Sequence, residues 1–279
     1  GRLGPFLYPE GMLQTAPVTG LEPIDSAAPG FFSDLFDRLF PIIRSITGPG
    51  LRESLDIFGE YMPLHRDQVA SGEAVFDWIV PLEWALTRAV LTGPDGEVIA
   101  DSDRSNLQVV NYSTPVDVEL DLDDLQAHLH SIPDQPDLIP YVTSYYREAW
   151  GFCLTHRARQ ALKPGRYRAV IQSRTYAGGV DFADCMLPGE TEREVMLSSY
   201  LCHPSLANNE LSGPLVLLGL YDRISRWKRR RFSYRFVLAP ETIGSLCYLS
   251  RHGPQLKESL AGGLVLTCLG GPAEALSYK

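Results

Sequence analysis

Apolar positions along this chain follow two periods, and the period switches several times. Over residues 31–46, Phe32, Leu35, Phe36, Leu39, Phe40 and Ile43 recur three and four residues apart. That spacing is one face of a helix. Ser33 is placed to cap it, and Thr47-Gly48-Pro49-Gly50 is its expected stop. A second short helix is expected over 51–61. From 75 to 120 the pattern becomes β-like. Residues 75–81 and 84–92 are strand candidates, Gly93-Pro94-Asp95-Gly96 is a turn, and 97–100 is the returning arm of a hairpin. Residues 107–112 and 116–120 continue the β pattern, followed by a short helix over 122–131 and a proline-punctuated loop over 133–140.

The second half alternates more regularly. Strands are expected over 167–172, 180–187, 195–201, 234–238 and 263–269, with helices over 211–226 and 243–252. Strands that alternate with helices imply an α/β class, with a mainly parallel sheet and helices on both faces. The β-rich stretch would form a small unit placed between helices. Residues 1–30 are rich in Gly and Pro with little periodicity, and read as an extended N-terminal arm.

Composition narrows the function. A formal charge of −9 argues against a nucleic-acid binder, and the one basic run, Lys228 to Arg231, fits a solvated turn between helix and strand. The five cysteines form no CxxC pair and have no regular spacing, which favours reduced thiols and a cytoplasmic setting. No apolar run has the length to span a membrane, and no signal peptide is visible in a sequence that begins without Met.

Candidate chemistry gathers where strands end. Open α/β sheets place their sites outside the carboxyl ends of the strands. One such end carries Cys202-His203-Pro204, a second Pro240-Glu241, and a third Gly270-Gly271. Glu210 has two readings. It is a first-turn carboxylate favoured by the helix start, with Asn208 or Asn209 as cap, or it is a ligand beside His203. Glu241 likewise reads as a helix-start residue or as a carboxylate aimed into the crevice. Imidazole and carboxylate together suit zinc, and a carboxylate free of the metal suits a general base. Tyr141, Tyr145, Tyr146, Trp150 and Phe152 cluster in sequence. They either line a pocket or pack a joint between two units.

The stretch from Cys202 through Asn208-Asn209-Glu210-Leu211-Ser212-Gly213-Pro214, with Pro240-Glu241-Thr242-Ile243-Gly244-Ser245, resembles a family of bacterial zinc-aminopeptidase-like proteins. Upstream, Ser45 to Gly50, Phe76-Asp77-Trp78, Glu83-Trp84, Asn106-Leu107, Tyr112-Ser113, and Ile139 through Cys153 fit the same pattern, so the resemblance covers most of the chain from about residue 30. It is a domain-of-unknown-function family whose members often lie in polysaccharide or natural-product gene clusters. The resemblance implies a phosphorylase/hydrolase-like α/β domain over 31–64 and 136–279, and an inserted β-rich domain over 65–135. It also implies a C-terminal winged helix and a last histidine ligand, both beyond Lys279. Di-zinc aminopeptidases bridge their metals with an Asp in the motif similar to Ala207–Gly213, where this chain has Asn209. Their third strand ends in an Asp, where this chain has Gly270-Gly271.

The readings that follow are a zinc-dependent hydrolase of an amide or peptide-like bond, or a metal-free, inactive relative that binds a ligand. For the first, His203, Glu210 and Glu241 are the metal candidates and Glu241 the catalytic carboxylate. Asn209, Tyr146 and Trp150 are the substrate-binding candidates, for a small peptide-like or amino-sugar substrate. A homo-oligomer is compatible with either. A thiol enzyme using Cys202 or Cys153 is disfavoured, because neighbours on a strand point to opposite faces and Cys202 directly precedes His203.

Overall fold

A computed structural model describes residues 20–271; most of the arm expected over 1–30 lies outside the described residues. The first helix, Phe31–Leu39, is shorter than its periodicity predicts. Pro41 has no N–H to continue the ladder, so the helix ends with the Phe40 N–H still bonded to the Phe36 carbonyl. The second helix, Pro49–Gly59, begins on proline, where the missing N–H costs nothing. Gly48 precedes it at φ 88°, and a Cβ there would lie 2.3 Å from the Trp84 carbonyl oxygen.

The larger sheet has five strands in the order His65–Ala70, Gly179–Leu187, Ser233–Ala239, Glu194–Tyr200, Leu260–Val265. It is mixed where the sequence suggests mainly parallel. The first two pairings are antiparallel and the last two parallel. Parallel neighbours need a long crossover, and the helices Ser212–Ser225 and Ile243–Ser259 supply it. Strand Ser233–Ala239 shows why the sheet is covered on both faces. Phe236 and Leu238 join one core with Leu35, Leu55, Phe58 and Leu218, while Val237 and Ala239 join another with Ile243, Cys247 and Tyr248. Successive side chains alternate across a strand, so an unbroken apolar run means two buried faces.

A second sheet is antiparallel throughout, in the order Val98–Asp101, Glu83–Thr92, Arg166–Tyr176, Val116–Asp121. Tyr167, Ala169 and Ile171 turn into its core. Its strands therefore lie between residues 83 and 176, while His65–Ala70 pairs within the larger sheet. The β unit expected over 65–135 thus differs from the span of this sheet. The difference arises because residues 166–176, remote in sequence, complete the pairing. Arg52 joins the two sheets: it donates to both Glu83 carboxylate oxygens, at 2.9 and 2.8 Å, and to Asp181 at 2.9 Å. The strand expected over 107–112 forms only isolated bridges. Side chains in and just before this stretch instead pin the loop after the first helix. Asn106 Nδ2 donates to the carbonyls of Phe40 and Ile42, and Asn111 Nδ2 to that of Arg44. No described helix is long and apolar enough to cross a membrane.

Candidate metal centre

Strand Glu194–Tyr200 stops at Tyr200, and Leu201-Cys202-His203-Pro204 runs out from its carboxyl end. A wide turn over Ala207–Leu211 then leads into the helix Ser212–Ser225. It is a π-type turn, a form enriched at functional sites. This turn sends Glu210 inward, where it is fully buried. Glu210 does not cap the helix: one carboxylate oxygen accepts from the Cys202 N–H, and the other lies 3.0 Å from His203 Nδ1. Those last two atoms are close but out of line for a hydrogen bond, and both are left without a partner.

Two further groups complete the setting, and of them only Arg44 has no place in the sequence reading. Arg44, fully buried, lies 3.6 Å from the Glu210 carboxylate and donates from Nε to the His203 carbonyl at 2.9 Å. Burial lowers the pKa of its guanidinium, against the opposing pull of Glu210. Cys202, also buried, sets its Sγ 3.6 Å from His203 Nε2 and accepts from the Glu241 N–H at 3.3 Å. Burial pushes this thiol well above its ordinary pKa. The expectation that Cys202 and His203 point apart is corrected here. Strand alternation ends at Tyr200, and beyond it the backbone brings sulfur and imidazole to one place. Among the described residues, Cys202, His203 and Glu210 form a tight group whose donor atoms all lie within 4.8 Å of one another.

Glu241 follows strand Ser233–Ala239 through Pro240. Its side chain is half exposed, with Oε2 3.5 Å from His203 Nε2. Thr242 next to it has φ 55°, a region unfavourable to a β-branched residue. Ser205 and Cys268 also have positive φ. Each loop leaving the carboxyl end of one of the three parallel strands therefore contains one strained non-glycine residue. Such strain clusters at functional sites.

The other candidates are dispersed. Asn209 is exposed. Asn208 is the amide that makes the structural contact, its Oδ1 accepting from Gly270 N–H at 2.7 Å, so the third strand's exit is tied back to this turn. Tyr146 is 77% exposed and touches Tyr145 edge-on. Trp150 packs against the core of the smaller sheet and stacks on His128 at 3.7 Å. The aromatics nearest the imidazole are Tyr141, at 5.1 Å, and Tyr200, at 5.7 Å between ring centroids. Burial pushes the Tyr200 hydroxyl up to about 12 and raises that of Tyr141 further. Arg44 and Tyr200 carry no sequence signal of a site, since each is a single residue in a segment already explained by packing.

Imidazole, carboxylate and thiol at one strand end are a donor set that zinc accepts. Two buried polar atoms without partners, His203 Nδ1 and Glu210 Oε2, fit a polar site better than a sealed core.

A chain with this fold and strand-end group has known relatives. The chain belongs to the family described as Domain of unknown function (DUF4910), whose profile matches residues 33–279. Over 250 residues it is 43% identical to a Clostridium acetobutylicum protein whose name proposes polysaccharide biosynthesis and records an aminopeptidase-like domain. That match covers 90% of this chain and 57% of the relative, so the chain spans little more than half the relative's length. A crystal structure from the same organism, proposed to be a peptidase, superposes with a TM-score of 0.84 at 42% identity, covering 88% of this chain and 57% of the other. A zinc aminopeptidase from Bacillus subtilis gives a TM-score of 0.55 at 9% identity, covering 87% of this chain and 70% of the other. At that identity the likeness shows the fold alone: that of the zinc aminopeptidases.

Proposed function

We propose that this protein is a metal-dependent hydrolase of an amide or peptide-like bond. The observation that carries the reading is the setting of His203. Its ring stands at the end of a parallel strand between two carboxylates, Glu210 on the Nδ1 side and Glu241 on the Nε2 side. Zinc would be held at one nitrogen of His203 with the carboxylate on that side as its acidic partner, and when bound it would supply a water acidic enough to attack near neutral pH. Glu241, half exposed at the mouth, is placed to accept a proton on its carboxylate and return it to the leaving amine. Tyr141 and Tyr200 flank the imidazole and narrow the approach, which favours small peptide-like or amino-sugar amides. The segment holding Tyr141 and Tyr145 lies between strands of the four-stranded sheet and brings Tyr141 against the imidazole.

The test is turnover of aminoacyl and N-acyl amino-sugar anilides. Glu241→Gln should lower kcat by about 100-fold to 10,000-fold with little change in fold. Full activity in that variant would remove Glu241 from the chemistry. The competing reading is a metal-free ligand-binding protein. Arg44 favours it, because a fixed cation already offsets the Glu210 charge.

A further inference from the structure

His203 offers two nitrogens in opposite settings, and the choice between them decides which residues can be ligands. We propose that the ion is taken on the Nε2 face, by the Cys202 thiolate and His203 Nε2 with Glu241, while Glu210, balanced by Arg44, orients the ring from Nδ1 without touching the ion. The proposal rests on the zinc of the hydrolase reading and narrows it to particular atoms.

Two donor spacings measured from Nε2 suit this face. The three donors already within 4.8 Å of one another are those of Cys202, His203 and Glu210, so Glu241 would close in on Cys202 as the ion binds. With bond lengths of about 2.3 Å to sulfur and about 2.0–2.1 Å to nitrogen or oxygen, two tetrahedral zinc ligands stand about 3.6 Å apart for an S/N pair and about 3.4 Å for an N/O pair. Cys202 Sγ lies 3.6 Å from Nε2, and Glu241 Oε2 lies 3.5 Å from it. On the other side Nδ1 and Glu210 Oε2 are 3.0 Å apart, which is hydrogen-bond reach; a small rotation of the ring aligns them. A carboxylate on the second nitrogen of a zinc-bound histidine is the usual supporting arrangement.

Charge and access agree. An ion at Nδ1 would share Glu210 with the guanidinium of Arg44, 3.6 Å from the same carboxylate, in a place closed to solvent. On the Nε2 face the half-exposed Glu241 marks an opening through which water and substrate reach the fourth position. Glu241 turns Oε2 to this face, leaving its second oxygen for the proton role. The Glu241 N–H aimed at Cys202 Sγ suits a sulfur that carries negative charge. On binding, the Cys202 proton leaves to the buffer as the S–metal bond forms.

The experiment is cobalt(II) titration of the chelator-stripped protein, read by absorption. A thiolate-to-cobalt charge-transfer band in the near ultraviolet is expected in the wild type. It should vanish in Cys202→Ser and Cys202→Ala and persist in Cys268→Ser. Glu210→Gln should keep the band while binding about 10-fold to 100-fold more weakly. Cobalt bound without the band, a band that survives Cys202→Ser, or complete loss of binding in Glu210→Gln would overturn the assignment. Zinc-edge X-ray absorption of the wild type needs no variant: a sulfur neighbour supports the proposal, and a shell of nitrogen and oxygen alone contradicts it. Metal bound with the band but no amide turnover leaves this assignment standing and sinks the hydrolase. Protein that takes up neither metal sinks both.

Discussion

Arg44 donates from Nε to the carbonyl of His203 at 2.9 Å, across 159 residues of chain. The contact ties the loop after the first helix to the strand end that holds the candidate centre. The same guanidinium faces the Glu210 carboxylate, and both side chains are wholly buried. Further donation to the Leu39 carbonyl and to Ser54 fixes its position. Removing one partner of a buried pair leaves an uncompensated charge. Arg44→Met should therefore cost about 3–5 kcal/mol in urea unfolding. Arg44→Met combined with Glu210→Met should recover part of that loss; a double variant as unstable as the sum of the singles would mean the two charges do not act as a pair.

The joint between the sheets makes a separate prediction. Glu83, buried on the smaller sheet, accepts from Arg52 and from the Gly179 N–H of the larger one. Desolvation alone would raise the Glu83 pKa, but hydrogen bonds, led by that from Arg52, hold it below the usual carboxylate range. Arg52→Met should destabilise the fold by about 1–3 kcal/mol through loss of those bonds. An unchanged urea midpoint would show that the joint is held by packing instead.

Acidification acts through two half-buried histidines. Burial, the largest cause for each, lowers the pKa values of His130 and His252 below the ordinary 6.5. The unfolded chain then binds more protons than the folded one at pH values between the depressed values and 6.5. Stability is highest above 6.5 and declines as the pH falls through that window, with the loss complete below the folded-state values. Urea midpoints should drop between about pH 7.5 and about pH 5.5, and His252→Gln should flatten the slope. A slope unchanged by that substitution would assign the acid sensitivity to other groups.

Much of the fold was legible from spacing. The run Tyr234 to Leu238 reads as a two-faced buried strand, and it is one. Periodicity overran the first helix because Pro41 stops it while the apolar spacing continues to Ile43. The sequence expectation ends the last helix at His252, just before Gly253-Pro254. In the structure the helix continues to Ser259 and buries Leu256. At the site, His203 and Glu241 could be named from their places at strand ends. Arg44 could not, since nothing in a single arginine after Pro41 shows that it turns inward. Cys202 was misjudged for a local reason: alternation holds only while the strand lasts, and it ends two residues earlier.

The central claim is that His203 holds a catalytic metal, and metal content tests it most directly. Protein purified without chelator should contain zinc in stoichiometric amount. His203→Ala, folded as judged by circular dichroism, should lose both the zinc and the amide turnover. Wild-type protein that turns over amides while free of metal, or His203→Ala that keeps its zinc, would contradict the account.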